Sequence, residues 1–381
     1  MNDSIYISEE LAQFRETVRR FIDNEVVPHG AAWEAAGEVP RDVLRRMGAL
    51  GFLGIRYAER FGGSALDTVA TAVLAEELGR STFGGFSATV LVHTDMASPH
   101  LANAGSDAQL DAYMPAIISG ELITAVAVTE PDAGSDVAGI KTHARRDGDD
   151  WVINGSKMFI TNGILADLII VAAKTDPDVK GSRGITMFLV ARDTPGFSVG
   201  RRLDKMGWHC SDTAELVFDD CRVPNSCVLG EENKGFYAVM KNFQNERTVI
   251  AALAMGEAQK ALDLTVEYVR ERKAFEGVLW DKQAIRQRLA MRMAEVAAGR
   301  QLAYHAAWLD AQGEDCVKEV SMAKAYCGEL VNRVMYDCQQ FHGGAGYVQD
   351  SAIERMTRDA RILSVGGGAT EVMLDEITKR V

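Results

Sequence analysis

Three stretches of this 381-residue chain carry residue types suited to chemistry. The first is Ala127–Gly139, AVTEPDAGSDVAG, where an apolar run that begins at Leu122 stops at Thr129-Glu130-Pro131 and enters a loop of Asp, Gly and Ser. Hydroxyls and free backbone N–H groups in such a loop can meet a polar ligand. The second is Phe159-Ile160-Thr161, at the end of the strand-like run in WVINGSKMFITNG, Trp151–Gly163. An aromatic ring beside a hydroxyl suits a flat heterocycle, the ring flanking it and the hydroxyl bonding a heteroatom. The third is Glu246. After Gly235, apolar residues fall at Phe236, Val239, Phe243, Ile250 and Leu253, and Glu246 takes the open slot in that three-four rhythm. A carboxyl buried in such a seam resists ionisation, which suits a base that must keep the proton it takes. On the residues alone a second placement stays open, a Glu at a solvated rim paired with Arg247.

Residues 127–139 match the first signature of the acyl-CoA dehydrogenase family at each restricted position. Gln340, Gly343-Gly344-Ala345-Gly346-Tyr347, Asp350, Arg355 and Asp359 match the second. The chain resembles that family over nearly all its length. The resemblance implies FAD as cofactor and an acyl-CoA as substrate, dehydrogenated to a trans-2-enoyl-CoA. It also implies an electron-transfer flavoprotein as acceptor and a homotetramer assembled as a dimer of dimers. Carried over residue by residue, it sets Val126, Val128, Thr129 and Ser135 along one side of the flavin, with Phe159, Ile160 and Thr161 near the ring system. Arg272, Phe275 and Gln283, with Gln340, Gly343 and Gly344, would meet the diphosphate and adenine across a subunit interface. Ala369 and Glu371 fall where a late loop touches the flavin, and Ser135, Gln244, Arg247, Gly366 and Gly367 would meet the substrate. Two positions depart from the family pattern: its usual Gly after the Phe is Glu276, and its usual Thr in the late loop is Ala369.

The catalytic base turns on one substitution. Family members commonly carry it as the Glu of a late Tyr-Glu-Gly-Thr loop. Here that loop reads Val365-Gly366-Gly367-Gly368-Ala369-Thr370-Glu371, so Gly367 stands where the Glu would be, and Glu371 matches a flavin-contacting position. The isovaleryl-CoA, long-chain and citronellyl-CoA type branches are similar to this chain in pairing a Glu-Arg like Glu246-Arg247 with a non-acidic late loop. The resemblance therefore implies Glu246 as α-proton base and flavin N5 as β-hydride acceptor. The thioester carbonyl needs hydrogen bonds as the proton leaves. In relatives these come from a flavin ribityl hydroxyl and a late-loop backbone N–H, here that of Gly367. Missing side chains at 366–368 leave room beside the acyl chain, which favours a branched or bulky group; isovaleryl-like, citronellyl-like and long-chain acyl groups all fit. Two rival functions use the same fold. One is an acyl-CoA oxidase, which lets oxygen reach the reduced flavin; the short chain argues against it. The other is a non-dehydrogenating flavin-binding member like the DNA-repair-associated relatives, which needs a basic surface.

The elements that must position these residues form three blocks. Residues 1–120 show helical periods, with Leu11, Phe14, Val18 and Phe21 in one stripe and further helices over 68–78 and 107–118. Residues 121–230 change period: 122–128, 151–160, 168–173, 186–190 and 214–218 read as strands, separated by polar turns at 146–150 and Asp176-Pro177-Asp178. In 231–381 helical patterns return at 236–270, 283–311, 317–340 and 370–380, as an antiparallel bundle. The fold class is α+β: a helical N-terminal domain, a middle β domain and a C-terminal helical bundle. Gly343–Gly346 follows a helical pattern with no βαβ unit around it, which argues against a dinucleotide loop.

A hydrophobic content of 47% can fill a large core, and a net charge of −13 disfavours nucleic acid and anionic membrane surfaces. No apolar run approaches the roughly 20 residues of a membrane span. The N-terminal MNDSIYISEE carries acids and resembles neither a presequence nor a secretory signal, so a cytoplasmic protein is expected. Cys316, Cys327 and Cys338 recur every eleven residues on one helix face and read as small buried hydrophobes. His93, His100 and His342 lack metal-ligand spacing. Without the resemblance, Arg272 also reads as a surface charge near a helix end.

Overall fold

A computed structural model describes residues 5–176, 178–179 and 183–381, so Pro177 of the second proposed turn lies outside the described residues. Helices come first: α1 Glu9–Phe21, α2 Gly30–Ala36, α3 Arg41–Ala49, α4 Thr68–Gly79, α5 Gly84–Leu91, α6 Ser98–Ala104 and α7 Asp107–Ser119. Their ends are capped as the sequence allows. Asp67 accepts the N–H groups of Val69 and Ala70 at the head of α4, and Ser106 and Gln109 form a reciprocal capping box on α7. A wide π-helical turn, Val92–Ala97, joins α5 to α6.

The strands are β1 Thr124–Ala127, β2 His143–Asp147, β3 Asp150–Thr161, β4 Leu168–Lys174, β5 Ile185–Ala191, β6 Phe197–Arg202, β7 Thr213–Pro224 and β8 Val228–Leu229. They form one sheet in the order β6-β7-β3-β2-β4-β5-β8, with β1 added parallel to β4. One sheet face buries Trp151, Phe188 and Phe218; the other packs on Leu101, Met114, Ile117 and Val239 from the flanking helices. The polar run 146–150 is a turn only at its tip. Arg146 and Asp147 end β2, Asp150 opens β3, and Gly148-Asp149 make a two-residue hairpin with Gly148 at φ +66. β2 and β6 escaped the sequence reading because HARRD and FSVGRR face water along most of their length and lack an apolar alternation.

The chain then returns to helix: α8 Gly235–Glu271, the short hairpin β9 Lys273–Ala274 with β10 Gly277–Val278, α9 Gln283–Ala311, α10 Val317–His342, α11 Ala352–Ala360 and α12 Thr370–Thr378. Helices from both ends of the sequence share a single core, in which Val18, Leu74, Leu253 and Leu330 are fully buried. Cys316, at the head of α10, and Cys327 and Cys338 within it are buried, and all three are free thiols. Among the described residues no helix is long and apolar enough to cross a membrane.

Candidate active site

The site begins where β1 ends. Val128 and Thr129 are half-buried, and the Thr129 carbonyl accepts from the N–H of Met158 at 2.9 Å, which sets the start of the loop beside β3. The pairing of β3 with β7 slips between Lys157 and Ile160, and the extra residue of this bulge re-aims the side chains there. Phe159 consequently sits at φ +61 with 65% of its surface exposed. A non-glycine residue in that conformation costs about 1–3 kcal/mol, and its neighbours must over-determine it. Ile160 points the other way into the sheet core, leaving only its main chain for a ligand, and Thr161 is half-buried opposite Thr213.

The loop after β1 is braced at its base and open at its tip. Glu130 accepts from Lys157 Nζ at 2.8 Å and from the backbone N–H groups of Lys141 at 2.6 Å and Thr142 at 2.9 Å. Burial pushes its carboxyl up, but the Lys157 charge and these donors outweigh it and hold Glu130 below the usual range. At the apex Ser135 is exposed, and a Cβ on Gly134 would meet nothing within 4 Å.

Glu246 is 7% exposed in the first half of α8, which rules out the solvated rim. Its neighbours are less greasy than the seam implied. Asn242, one turn earlier, donates to Oε1 at 3.0 Å, and Asn245 reaches Asp95 of the π turn. Burial pushes the Glu246 carboxyl up to about 8; the Asn242 bond and the Arg247 charge pull it down, and Asp95 pushes it further up. Arg247 turns away, its guanidinium 5.5 Å from the Phe243 ring centroid and its buried Nε without a partner. Gln244 projects to another side of α8, where its Oε1 lies 3.8 Å from Sγ of Cys316.

The glycine loop closes on this helix. Gly367 has φ +62, and a Cβ there would overlap Cδ1 of Ile250, one turn after Glu246. The next carbonyl, of Gly368, accepts from Nζ of Lys324, a lysine fully buried in α10 whose ammonium burial lowers to about 8. Gly366 and Ala369 are half-buried, and Glu371 is exposed in the first turn of α12.

Three consecutive segments of the chain match the acyl-CoA dehydrogenase N-terminal domain at residues 8–121, middle domain at 125–221 and C-terminal domain at 233–381. The chain belongs to the acyl-CoA dehydrogenase family. Over 377 residues it is 42% identical to the mitochondrial long-chain specific acyl-CoA dehydrogenase of Sus scrofa, covering 98% of this chain and 87% of that one. The mitochondrial isovaleryl-CoA dehydrogenase of Pongo abelii is 37% identical over 369 residues, covering 96% and 87%. Among solved structures, the acyl-CoA dehydrogenase from Geobacillus kaustophilus superposes with a TM-score of 0.95 at 41% identity, covering 99% of both chains. A glutaryl-CoA dehydrogenase from Mycobacterium smegmatis in complex with FADH2 gives a TM-score of 0.92 at 30% identity, covering 98% and 95%.

The second signature of the acyl-CoA dehydrogenases divides into bracing and open positions. Arg355 donates to the carbonyl and hydroxyl of Thr82 and lies 3.9 Å from the Phe83 ring centroid. Asp359 accepts from the N–H groups of Gly84 and Trp208. These two residues dock α11 on the α4–α5 corner and on the loop before β7, with Asp359 buried and Arg355 half-buried. Gly343 and Gly344 are exposed, and a Cβ on either would meet nothing within 4 Å.

Arg272, Phe275, Gln283, Gln340, Gly343 and Gly344 gather at the far end of the helices. Tyr268 ties that end together, stacking on His342 at 4.2 Å between centroids and donating to its carbonyl. Phe275 and Glu276 are the turn of the β9–β10 hairpin, both with positive φ, and Phe275 is 88% exposed. Glu276 thus adopts the left-handed backbone that the family's usual Gly takes without strain. Arg272 follows Glu246 by about 26 residues along α8, roughly 39 Å at a rise of about 1.5 Å per residue. The Glu246 end of α8 and the corner of Phe275 and Gly343 are therefore separate parts of the chain's surface.

These surfaces fit the family cofactor. An exposed aromatic ring on a strained bulge, a serine loop open at its apex, and a corner of glycines clear of side chains provide a flank for a flat ring and room for a backbone-held diphosphate. The sequence reading missed Asp95, Asn242, Asn245 and Lys324. Asn242 was within reach of it, since i and i+4 residues meet on a helix; Asp95 and Lys324 arrive from other elements and leave no local signal.

Proposed function

We propose that this chain dehydrogenates an acyl-CoA between its α and β carbons with Glu246 as the base, giving a trans-2-enoyl-CoA. Membership of the family makes it an oxidoreductase acting on CH–CH bonds of acyl-CoA, with FAD as cofactor. The observation that carries the base assignment is the pairing of a buried, hard-to-ionise carboxyl at 246 with a late loop that has no acid at 367, where the backbone is left-handed and Ile250 stands against a Cβ.

Bound FAD supplies a hydride acceptor for the β carbon. The chain's own residues do the rest. Glu246 in its ionised form takes the α-proton, and its buried surroundings favour the protonated carboxyl that results. The N–H of Gly367 is the donor for the thioester carbonyl as enolate character develops, and Lys324 steadies the following carbonyl. Val126, Val128, Thr129, Ser135, Phe159 and Thr161, with the main chain of Ile160, form the flavin-facing wall; Ala369 and Glu371 close it from α12. Arg247, Gln244, Ser135 and Gly366 belong to the acyl-CoA side. The side-chain-free loop at 366–368 supports a branched or bulky acyl group.

A second half-site, about Arg272, Phe275, Gln283, Gln340, Gly343 and Gly344, serves the cofactor of a neighbouring copy. Exposed Phe275, Tyr347, Tyr336 and Met291 support burial of this end against a second chain, in a homotetramer built as a dimer of dimers. An electron-transfer flavoprotein takes the electrons onward. The deciding experiment is Glu246→Gln with flavin bleaching followed across a panel of short, branched and long acyl-CoAs. Loss of bleaching by on the order of a hundredfold or more supports the base, and bleaching at the parent rate rejects it.

A further inference from the structure

The π turn Val92–Ala97 is a strut between β1 and α8. At its first end His93 accepts the N–H of Thr124 on Nδ1 at 3.1 Å, and its other nitrogen reaches the carbonyl of Ile117 at 3.0 Å. That pattern makes Nε2 the donor, in the neutral ring that burial enforces. At its second end the Asp95 carbonyl accepts from Asn245 at 2.9 Å and from Asn242 at 3.2 Å. The Asn242 Nδ2 also reaches the Met96 carbonyl at 3.0 Å and Glu246 Oε1 at 3.0 Å. One amide nitrogen with two hydrogens thus faces three acceptors, two of them buried and the Met96 carbonyl part-buried.

We propose that Asn242 is a positioning residue for the base, holding the Glu246 carboxyl against the π turn and releasing it when it takes a proton. This rests on Glu246 being the base. While Glu246 is ionised, it competes best for an Asn242 hydrogen, because charge-assisted bonds are the stronger ones. Once it is protonated, both hydrogens can turn to the carbonyls of Asp95 and Met96, so neither amide hydrogen of Asn242 is orphaned by proton transfer. The amide therefore fixes the aim of the carboxylate and tempers the burial that would otherwise keep it protonated. Other charged groups converge on the same place: Arg247 on α8, Asp95 on the π turn, Arg56 facing Asp95, Lys324 on α10, and Glu376 of α12 with Arg380 just past its end, both facing Arg247. Among the described residues none of these charged groups donates a hydrogen bond to Glu246, and Asn242 does.

The test compares Asn242→Leu, Asn242→Asp and Asn242→Gln with the parent and Glu246→Gln in the FAD-loaded enzyme. Two readouts are used: the pH dependence of flavin bleaching by an acyl-CoA, and the infrared carbonyl band of protonated Glu246, identified by its absence in Glu246→Gln. In Asn242→Leu both midpoints should rise by about one pH unit, with a roughly tenfold slower rate near neutral pH that higher pH recovers, and with little change in KM. Asn242→Asp keeps the shape, sets a second carboxyl against the base and should shift both midpoints further up; Asn242→Gln should recover part of the parent profile. Should Asn242→Leu fail to fold, the isosteric Asn242→Asp decides alone. Midpoints equal to the parent's in Asn242→Asp overturn the proposal, even where Glu246→Gln is inactive. Parent-like bleaching by Glu246→Gln overturns instead the base assignment beneath it.

Discussion

A Cβ at Gly367 would overlap Cδ1 of Ile250, and the backbone there lies at φ +62. The late loop has therefore lost the acid, and a side chain there, on a left-handed backbone, would have to displace the end of Ile250. Restoring the acid in Gly367→Glu should destabilise the fold by about 1–3 kcal/mol and lower activity, because the side chain meets both a left-handed backbone and a filled position. The double variant Glu246→Gly with Gly367→Glu should stay inactive. Thermal melting and flavin bleaching check the two halves, and recovered bleaching by the double variant would show that the loop can still host the base.

The Glu246 carboxyl ionises at an ordinary 4.5 in the unfolded chain and is pushed up to about 8 in the folded one. For the free enzyme, the bleaching rate at low acyl-CoA should rise with pH as one proton leaves, with a midpoint near that value. The stability effect has the opposite sign. Between the two values the unfolded chain releases the proton first, so this group's contribution is whole below the lower value and gone above the higher one. Melting of the parent and Glu246→Gln across the range should show the variant gaining on the parent as pH rises. A constant gap would mean that the carboxyl is not perturbed.

The two signatures and the helix-strand-helix order were legible because they are local. A thirteen-residue loop, a glycine corner and a three-four apolar rhythm are each written in consecutive residues. The Glu246 slot was legible for the same reason, and its burial follows from the company of Val239, Ile250 and Leu253. What sets its chemistry was not. Asp95 lies about 150 positions away in sequence and meets α8 only because the π turn is pinned to β1 through His93 and Thr124. The bulge that exposes Phe159 was hidden too, since a bulge is a mismatch between two strands and neither sequence alone shows it. Polar strands β2 and β6 went unread because solvent covers the face that would carry a period.

The exposed, left-handed Phe159 separates cofactor binding from stability. Phe159→Gly relieves the backbone and removes the ring, so the flavin-free protein should melt at the parent temperature or above it. FAD affinity should fall by roughly tenfold, the scale of an aromatic contact of about 1.5 kcal/mol. Titrating FAD into the flavin-free protein, alongside its melting curve, checks both. A less stable apoprotein with unchanged FAD affinity would make Phe159 a packing residue.

Glu257 is the sharpest contrast to the satisfied acids of the core. Glu76, on α4, meets Arg15, Arg300 and the Tyr304 hydroxyl, whereas both carboxyl oxygens of Glu257 are buried in α8 without a hydrogen-bond partner. Burial, and then the nearby Asp359, hold it protonated well above the ordinary carboxylate range. The unfolded chain loses that proton near 4.5, so above this value each pH unit costs the folded state about 1.4 kcal/mol until the buried group also ionises. Glu257→Leu replaces it with an apolar group of similar size and should raise the melting temperature, by several degrees more near pH 8 than near pH 5. The gain should appear without loss of bleaching, because Glu257 lies three turns beyond the base. An equal or smaller gain at the higher pH would show that Glu257 finds a partner in solution.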